Sequence, residues 1–174
     1  MIADGLKPES MTGATDHQID AFANEQGVRD VPAAFRQVLR LIGVRRGLWF
    51  AGTAFGIGSI DGASKREALA TLSRFTDPFT DSAGLLVLAD HQAYQYYVID
   101  GACLTEPDPA VWIISETDGV EQCWPSVTSW FDSADPDVGR YVKRMQMLRD
   151  HGKQSKLTFS EFLNLEPDDR GTSQ

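Results

Sequence analysis

Apolar side chains recur every three or four residues through the first part of the chain, and this period predicts three amphipathic helices. The first begins at Thr15, where Gln18 stands at capping-box spacing. The second covers 32–42, since proline suits its first turn and glycine its end. The third is predicted over 64–75, with a serine cap. Their apolar stripes comprise Ile19, Phe22 and Ala23, then Phe35, Val38, Leu39 and Ile42, then Ala68, Leu69 and Leu72.

After Ala83 the period changes to short apolar runs that are rich in β-branched and aromatic residues, which favour strands. Asp118-Gly119 marks a hairpin turn between two of these runs. Ser126 is placed to cap a short helix that contains Val127, Trp130 and Phe131. Four strands are therefore predicted, over residues 85–89, 94–99, 111–115 and 120–124.

The remaining segments complete the predicted organisation of the chain. Residues 47–62 are rich in glycine but lack the Gly-Lys-Ser/Thr of a P-loop, so they read as a structural loop. An amphipathic helix with a basic outer face is predicted near 137–156, followed by a short helix over 157–165. We therefore predict a flexible tail over 1–13, one domain over 14–165 with a helical extension from 136, and a polar tail over 166–174.

Composition places the chain among globular proteins and disfavours several partners. The 174 residues are 42% apolar with a formal net charge of −9, which disfavours direct binding to nucleic acid or an anionic membrane and suits a basic protein partner. The start Met1–Ser10 has neither the basic nor the apolar part of a signal peptide, and no run is long enough for a membrane helix. Cys103 and Cys123 are expected to be reduced, and the protein cytoplasmic.

Candidate catalytic and metal-binding residues are few and scattered. His17, His91 and His151 show no metal-ligand spacing, so neither a metal nor another cofactor is expected. A hydrolase that uses His91 with Asp90 or a cysteine is the weakest hypothesis, because no nucleophile, base and orienting group can be assembled. His91 itself stays open between a structural and a functional role.

Three motifs carry a resemblance to a known family. They are Asp90-His91-Gln92-Ala93-Tyr94, Asp108-Pro109-Ala110-Val111-Trp112 and Pro125-Ser126-Val127-Thr128-Ser129-Trp130-Phe131. In order and spacing they resemble the SUKH superfamily, the Smi/Knr-type proteins. The similarity covers roughly 15–135 and is specific over 85–131. Family members often carry glycine where Ala93 stands. The side chain of Ala93 disfavours a positive φ, which glycine would allow at this position.

The resemblance implies an α+β fold with a central, mostly antiparallel sheet flanked by helices. It also implies a non-catalytic, intracellular binding protein without a cofactor. Bacterial members look like immunity proteins that neutralise a cognate toxin domain by occluding it, whereas fungal members are scaffolds that regulate cell-wall synthesis. The first hypothesis is therefore an immunity protein, and the alternative is a scaffold or regulatory module of the same family.

Partner binding is predicted at the edges and loops of the sheet, where acidic groups speed the encounter with a basic protein and aromatic side chains anchor it. The alternative interpretation is that any one of the aromatic residues belongs to the core, and it applies alike to Trp112, Trp124, Tyr94, Tyr96 and Tyr97. The oligomeric state is left open, and the basic helix near 140–156 either packs within the chain or forms a dimer contact. The predicted partner-binding residues are Asp90, Tyr94, Tyr96, Glu116, Asp118 and Glu121.

Overall fold

A computed structural model describes residues 5–152 and 159–164 of the chain. These residues fall into two compact units. The larger unit is Met11–Asp135, and the smaller one combines the described residues up to Ser10 with those from Pro136 onward. The domain over 14–165 with a helical extension from 136 stays a prediction.

The larger unit is an α+β fold, as predicted. It has helices around a five-stranded antiparallel sheet and a separate two-stranded pair. Along the chain its elements are β1 (Met11–Thr12), α1 (Asp16–Glu25), α2 (Ala33–Ile42), β2 (Arg45–Arg46), β3 (Ala54–Phe55), α3 (Gly62–Leu72), β4 (Leu86–His91), β5 (Gln95–Ile99), β6 (Val111–Ser115), β7 (Gly119–Trp124) and α4 (Val127–Ser133). The strand order is β3-β4-β5-β6-β7 in the larger sheet and β1-β2 in the pair.

The first two helices form where the sequence predicts them. The side chain of Thr15 accepts a hydrogen bond from the backbone N–H of Gln18, and Oε1 of Gln18 accepts one from the backbone N–H of Thr15, which is the predicted capping box. Both helices bury their apolar stripes. Arg36 and Arg40 of α2 reach Asp16 on α1, so ion pairs join the exposed sides of the two helices.

The third helix begins earlier than predicted. Asp61 is its N-cap and accepts from the N–H groups of Ala63 and Ser64, so Ser64 occupies the third helical position rather than the cap. Asp61 therefore adds a first turn that opens with Gly62, a poor helix former that concealed it. The helix also ends at Leu72, whereas the prediction extended it to Phe75.

The sheet confirms the four predicted strands with shifts of one or two residues at their ends. Regular pairing runs through Asp90, Tyr96, Ile114 and Val120, which lie side by side across β4 to β7. A bulge at Leu88 interrupts β4, and a second bulge at Cys123 interrupts β7. The fifth strand, β3, comes from the glycine-rich segment, where the prediction had a short apolar piece between a turn and a loop.

A buried side chain closes one edge of the sheet. The short β3 pairs only with Ala89 and Asp90 of β4, so the backbone of Val87 lies beyond it. The Gln26 amide fills this place: its Nε2 donates to the Val87 carbonyl at 3.1 Å and its Oε1 accepts from the Val87 N–H at 2.9 Å. Gln26 is only 3% exposed, and its own carbonyl accepts from Nζ of the buried Lys65. We call β3 together with Gln26 the closed edge.

Aromatic rings fill the space between the helices and the sheet. Phe35 of α2 lies within 6.3 Å, ring centre to ring centre, of Phe22, Phe55 and Trp130. Such pairs prefer tilted or edge-on geometry, and all three show it. This cluster holds α1, α2 and α4 on one face of the sheet, and α3 covers the other face.

The glycine-rich loop has a packing role. Gly56 adopts a φ of +86°, and a Cβ on it would collide with the carbonyl of Gly43, which accepts a hydrogen bond from the N–H of Ile57. Only glycine combines that φ with so close a backbone approach. This observation agrees with the structural interpretation of residues 47–62.

The segment predicted as an N-terminal tail is ordered in its described part, residues 5–13. Met11 and Thr12 pair with Arg46 and Arg45 as β1 and β2. Leu6 is fully buried, and its neighbour Lys7 donates its backbone N–H to Phe162. Backbone pairing between distant segments has no local period, so no pattern along the chain predicted it.

The smaller unit contains the predicted basic helix, α5 (Val138–Asp150). Asp137 caps it through the N–H of Arg140, and the buried Val138 and Met145 define its inner face. Arg140, Lys143 and Arg144 are exposed, as the pattern predicts. A 3-10 turn follows at Ser160–Phe162. The predicted helix over 157–165 and the tail over 166–174 lie partly or wholly outside the described residues.

Candidate functional site

Two turns meet at one end of the sheet and bring most of the predicted partner-binding residues together. The β4–β5 turn spans 92–94 and the β6–β7 turn spans 116–118. The N–H of Glu116 donates to the carbonyl of Tyr94 at 2.9 Å, which joins the turns. We call Asp90 with these two turns the hairpin end. It holds Asp90, Tyr94, Glu116 and Asp118 of the six predicted residues.

The first turn of the hairpin end is strained. Gln92 and Ala93 have φ values of +55° and +61°, the left-handed region that both central residues of a type I′ turn require. The carboxylate of Asp90 accepts from the N–H of Ala93 at 2.7 Å and holds the turn. Ala93 thus adopts a left-handed conformation that its side chain disfavours. Asp90 stabilises this conformation, in addition to any role in binding.

The strained turn presents Tyr94 to solvent. Tyr94 is 41% exposed, and its ring lies edge-on to that of His91 with 5.4 Å between ring centres. A half-exposed tyrosine held against another ring is a rigid, amphipathic contact residue. Of the predicted aromatic contacts, Tyr94 is the accessible one.

Tyr96 does not lie at an edge or in a loop, and this part of the prediction is corrected. It stands on the middle strand β5 and is 1% exposed, with its hydroxyl donating to the carbonyl of Ala93 at 2.9 Å. Alternation along the strand sends Tyr96 towards α3 and leaves Tyr97 on the opposite face. Burial, with the nearby charges of Asp90, Glu67 and Glu116, raises the pKa of Tyr96 to about 12. Tyr96 therefore stabilises the β4–β5 turn through its hydrogen bond to Ala93.

The second turn supplies exposed carboxylates. Glu116 pairs with Arg74 at 3.1 Å, and both side chains are well exposed, so the pair is weak and open to exchange. Asp118 accepts from the hydroxyls of Ser115 and Thr117. These bonds orient the carboxylate at the tip of the hairpin while leaving it in contact with water.

The sixth predicted residue, Glu121, lies away from the turns on the edge strand β7. It is exposed and pairs across the ladder with Ile113, which in turn pairs with Tyr97. These three side chains form one row on the face away from α3. Trp124 lies 5.8 Å from Tyr97, ring centre to ring centre, so the row borders half-buried aromatic surface.

Further aromatic side chains extend this surface beyond the sheet. Phe50 has a φ of +52°, which is unusual for a bulky residue, and stacks on Trp130 at 4.9 Å between ring centres. Phe131 stacks on Trp49 at 6.1 Å. Phe50 and Phe131 are half-buried, as are Tyr97 and Trp124. The sequence analysis considered Tyr97 and Trp124 as aromatic surface but not Phe50 or Phe131, because the position of Phe50 depends on the conformation of its loop.

The charge of the larger unit is concentrated in the sheet region. Residues 77–135 contain eleven aspartate and glutamate residues and no lysine or arginine. This run was countable in the sequence, but the sequence analysis used only the net charge of the whole chain. Seven of the eleven are exposed: Asp77, Glu106, Glu116, Asp118, Glu121, Asp132 and Asp135.

His91 contacts a threonine side chain, and the two cysteines are protonated thiols. His91 Nδ1 lies 2.8 Å from Thr53 Oγ1, and the carbonyl of Thr53 accepts from Arg46, so the ring ties β4 to the segment that carries β3. Burial raises the pKa of Cys103 to about 11 and also raises the pKa of Cys123. Both sulfurs are therefore protonated thiols at neutral pH, which are poor nucleophiles.

A separate pocket of about 560 Å³ opens between the α1–α2 loop and the loops that flank β4 and β5. Gly27, Arg29, Asp81, Gly84 and Leu104 line it, and none of the six predicted residues does. Within the described ranges, no three His, Cys, Asp or Glu side chains gather closely enough to hold a metal ion. No helix among the described residues is long and apolar enough to span a membrane.

Comparison with known proteins bears on the fold that carries this surface. The chain gives no significant match among curated proteins. Residues 13–133 match the model of the SMI1 / KNR4 family (SUKH-1). The matched range contains the whole five-stranded sheet, the hairpin end and helices α1 to α4. The chain therefore belongs to the SMI1 / KNR4 family (SUKH-1).

Proposed function

We propose that this protein is an immunity protein that binds a basic toxin domain in the cytoplasm and occludes its active surface without chemistry of its own. Proteins of this family are often immunity proteins. The observation that carries the proposal is the acidic sheet region, in which residues 77–135 hold eleven carboxylates and no cation. A surface of one charge sign attracts a partner of the other sign over several ångströms before contact.

The arrangement of the acidic groups supports binding by occlusion. Glu116 and Asp118 stand exposed at the hairpin end, where the ring of Tyr94 is also half-exposed, and Glu121 stands exposed on β7. Acidic groups at the rim speed the encounter, whereas a buried aromatic contact slows dissociation. In the proposed interface, the carboxylates therefore raise the association rate and Tyr94 lowers the dissociation rate.

Partner capture tests the proposal. The tagged protein is purified from its native host, and stoichiometric companions are identified by mass spectrometry. The expected result is a protein that ends in a small basic domain, whose expression without the present chain poisons the host. Recovery of enzymes of envelope synthesis, or of a large assembly without a toxin, would support the scaffold alternative and overturn the immunity proposal.

Association kinetics with the captured partner test the electrostatic part. Glu116→Ala combined with Glu121→Ala is expected to lower the association rate about tenfold at low salt and to flatten its dependence on ionic strength. Glu25→Ala is the matched control, because Glu25 is an exposed carboxylate on α1 outside the acidic region. Association rates that match those of the control at every salt concentration would contradict electrostatic steering.

A further inference from the structure

The two edges of the five-stranded sheet end differently, and the difference identifies a docking place. At the closed edge, β3 and the Gln26 amide occupy the outer backbone groups of β4. At the other edge lies β7, six residues long, with β6 as its one neighbour in the described sheet. We call β7 the open edge. Every second residue of such an edge directs its N–H and C=O away from the sheet.

The side chains of β7 leave both faces of this edge accessible. Glu121, Gln122 and Cys123 are consecutive, and all three are exposed. In a strand, consecutive side chains point to opposite faces, so neither face is covered at the centre of β7. The strand contains no proline, which would break a new ladder. A bulge at Cys123 interrupts the ladder before Trp124, so an added strand has space on both sides and regularly spaced backbone groups over 119–122 to pair with.

We propose that the open edge binds an extended segment of the basic partner by strand addition, with a lysine or arginine beside Glu121. This inference rests on the proposed function for the identity of the partner. Backbone hydrogen bonds along β7 supply affinity, and alternate side chains supply specificity. The side chain two positions from the cation packs on the same face, towards Trp124, and is expected to be apolar.

Charge decides between this occupant and a second copy of the chain. Pairing β7 with its counterpart in another molecule would bring together two regions that each carry eleven carboxylates and no cation. Like charges at close range disfavour such a pair, whereas a cationic segment is attracted. The single acidic side chain at the centre of β7, Glu121, also matches the way natural edge strands discourage self-pairing.

A defined peptide tests the open edge without knowledge of the partner. The probe is a blocked peptide of alternating lysine and valine, and the control peptide has the same charge but proline in place of every second valine. At nine-tenths occupancy the probe should slow amide exchange over 119–124 about tenfold, and the proline peptide should not. Glu121→Lys should weaken the probe about fivefold, compared with a smaller effect of Glu106→Lys in a distant acidic loop.

Several outcomes would overturn the proposal. Equal protection by both peptides would mean attraction by charge alone, protection confined to other strands would place the site elsewhere, and a dimer protected at β7 would make a second copy the occupant. In the complex with the captured toxin, exchange over 119–124 should also slow. A toxin that binds while β7 stays unprotected would refute strand addition and leave the immunity proposal standing, whereas failure to capture any toxin would bear on the immunity proposal alone.

Discussion

The two edges of the sheet solve the same problem in opposite ways. Edge strands carry unpaired backbone groups that invite other chains to pair. At the closed edge, the Gln26 amide donates to the Val87 carbonyl at 3.1 Å and accepts from the Val87 N–H at 2.9 Å. At the open edge, β7 relies on the charge of Glu121 and on the acidic region around it. The first edge is protected by hydrogen bonds within the fold, and the second by acidic charge together with the bulge at Cys123. Charge protection can be overcome by a partner of opposite sign, so we expect the second edge to be the one that opens.

The largest effect is expected at the closed edge. Gln26→Ala removes both partners of Val87 and leaves two buried backbone groups unpaired, which should lower the free energy of unfolding by about 3 kcal/mol. Denaturant titration measures this change. Gln37→Ala is the control, because Gln37 is exposed on α2 and its truncation should cost less than about 0.5 kcal/mol.

Gln26→Glu tests the same edge with nearly the same shape. The ionised carboxylate accepts from the Val87 N–H but cannot donate to the Val87 carbonyl, so this variant should also be destabilised at neutral pH. Protonation restores a donor, and the loss should shrink towards acidic pH. Equal stability of Gln26→Ala and the parent protein would mean that the closed edge needs no side chain to close it.

The contrast between the edges was only partly readable from the sequence. The period of α2 and the β-branched runs gave the helices and four strands, because these elements depend on local pattern. The contact of Gln26 with Val87 joins residues 61 positions apart, and no local pattern encodes it. Tyr96 and Tyr97 are adjacent residues of the same type, so only the register of β5 decides which of them is buried. The acidic residues of 77–135 can be counted in the sequence, but only the fold shows which of their side chains are exposed.

The next largest effect on the free energy of unfolding is expected on the middle strand, β5, and it should depend on pH. Tyr96→Phe removes the hydrogen bond to the carbonyl of Ala93 and should lower the free energy of unfolding by about 1.5 kcal/mol at neutral pH. The pKa of Tyr96 is raised to about 12 in the folded protein, so an unfolded chain with an ordinary tyrosine pKa loses this proton first. Stability contributed by Tyr96 is intact below about pH 10 and is lost between about pH 10 and 12.

Alkaline unfolding curves check the sign of this effect. The parent protein should lose stability more steeply between pH 10 and 12 than Tyr96→Phe does, since the variant lacks the phenol. Tyr94→Phe is the control, because the side chain of Tyr94 is exposed. Parallel curves for the parent and Tyr96→Phe would show that the phenol of Tyr96 titrates alike in the folded and unfolded states.

A smaller effect is expected where His91 ties the closed edge to β4. Separate His91→Ala and Thr53→Val substitutions each remove one partner of the 2.8 Å contact, and their combination completes a double-mutant cycle. The coupling free energy should be about 1 kcal/mol and favourable. Zero coupling, with a loss of partner binding in His91→Ala, would instead assign His91 to the interface and answer the question that the sequence left open.

The smallest effect on stability is expected at the open edge, and it sharpens the comparison most. Glu121→Val places a β-branched side chain at an exposed strand position, so the free energy of unfolding should stay within about 0.5 kcal/mol of the parent value. The same change removes the charge that discourages pairing at β7, and concentration-dependent self-association should rise, as light scattering would show. Gln122→Val, which keeps Glu121, is the matched control and should associate less. If neither variant associates more than the parent protein, the protection of β7 does not depend on this carboxylate, and the two edges differ less than their hydrogen bonds indicate.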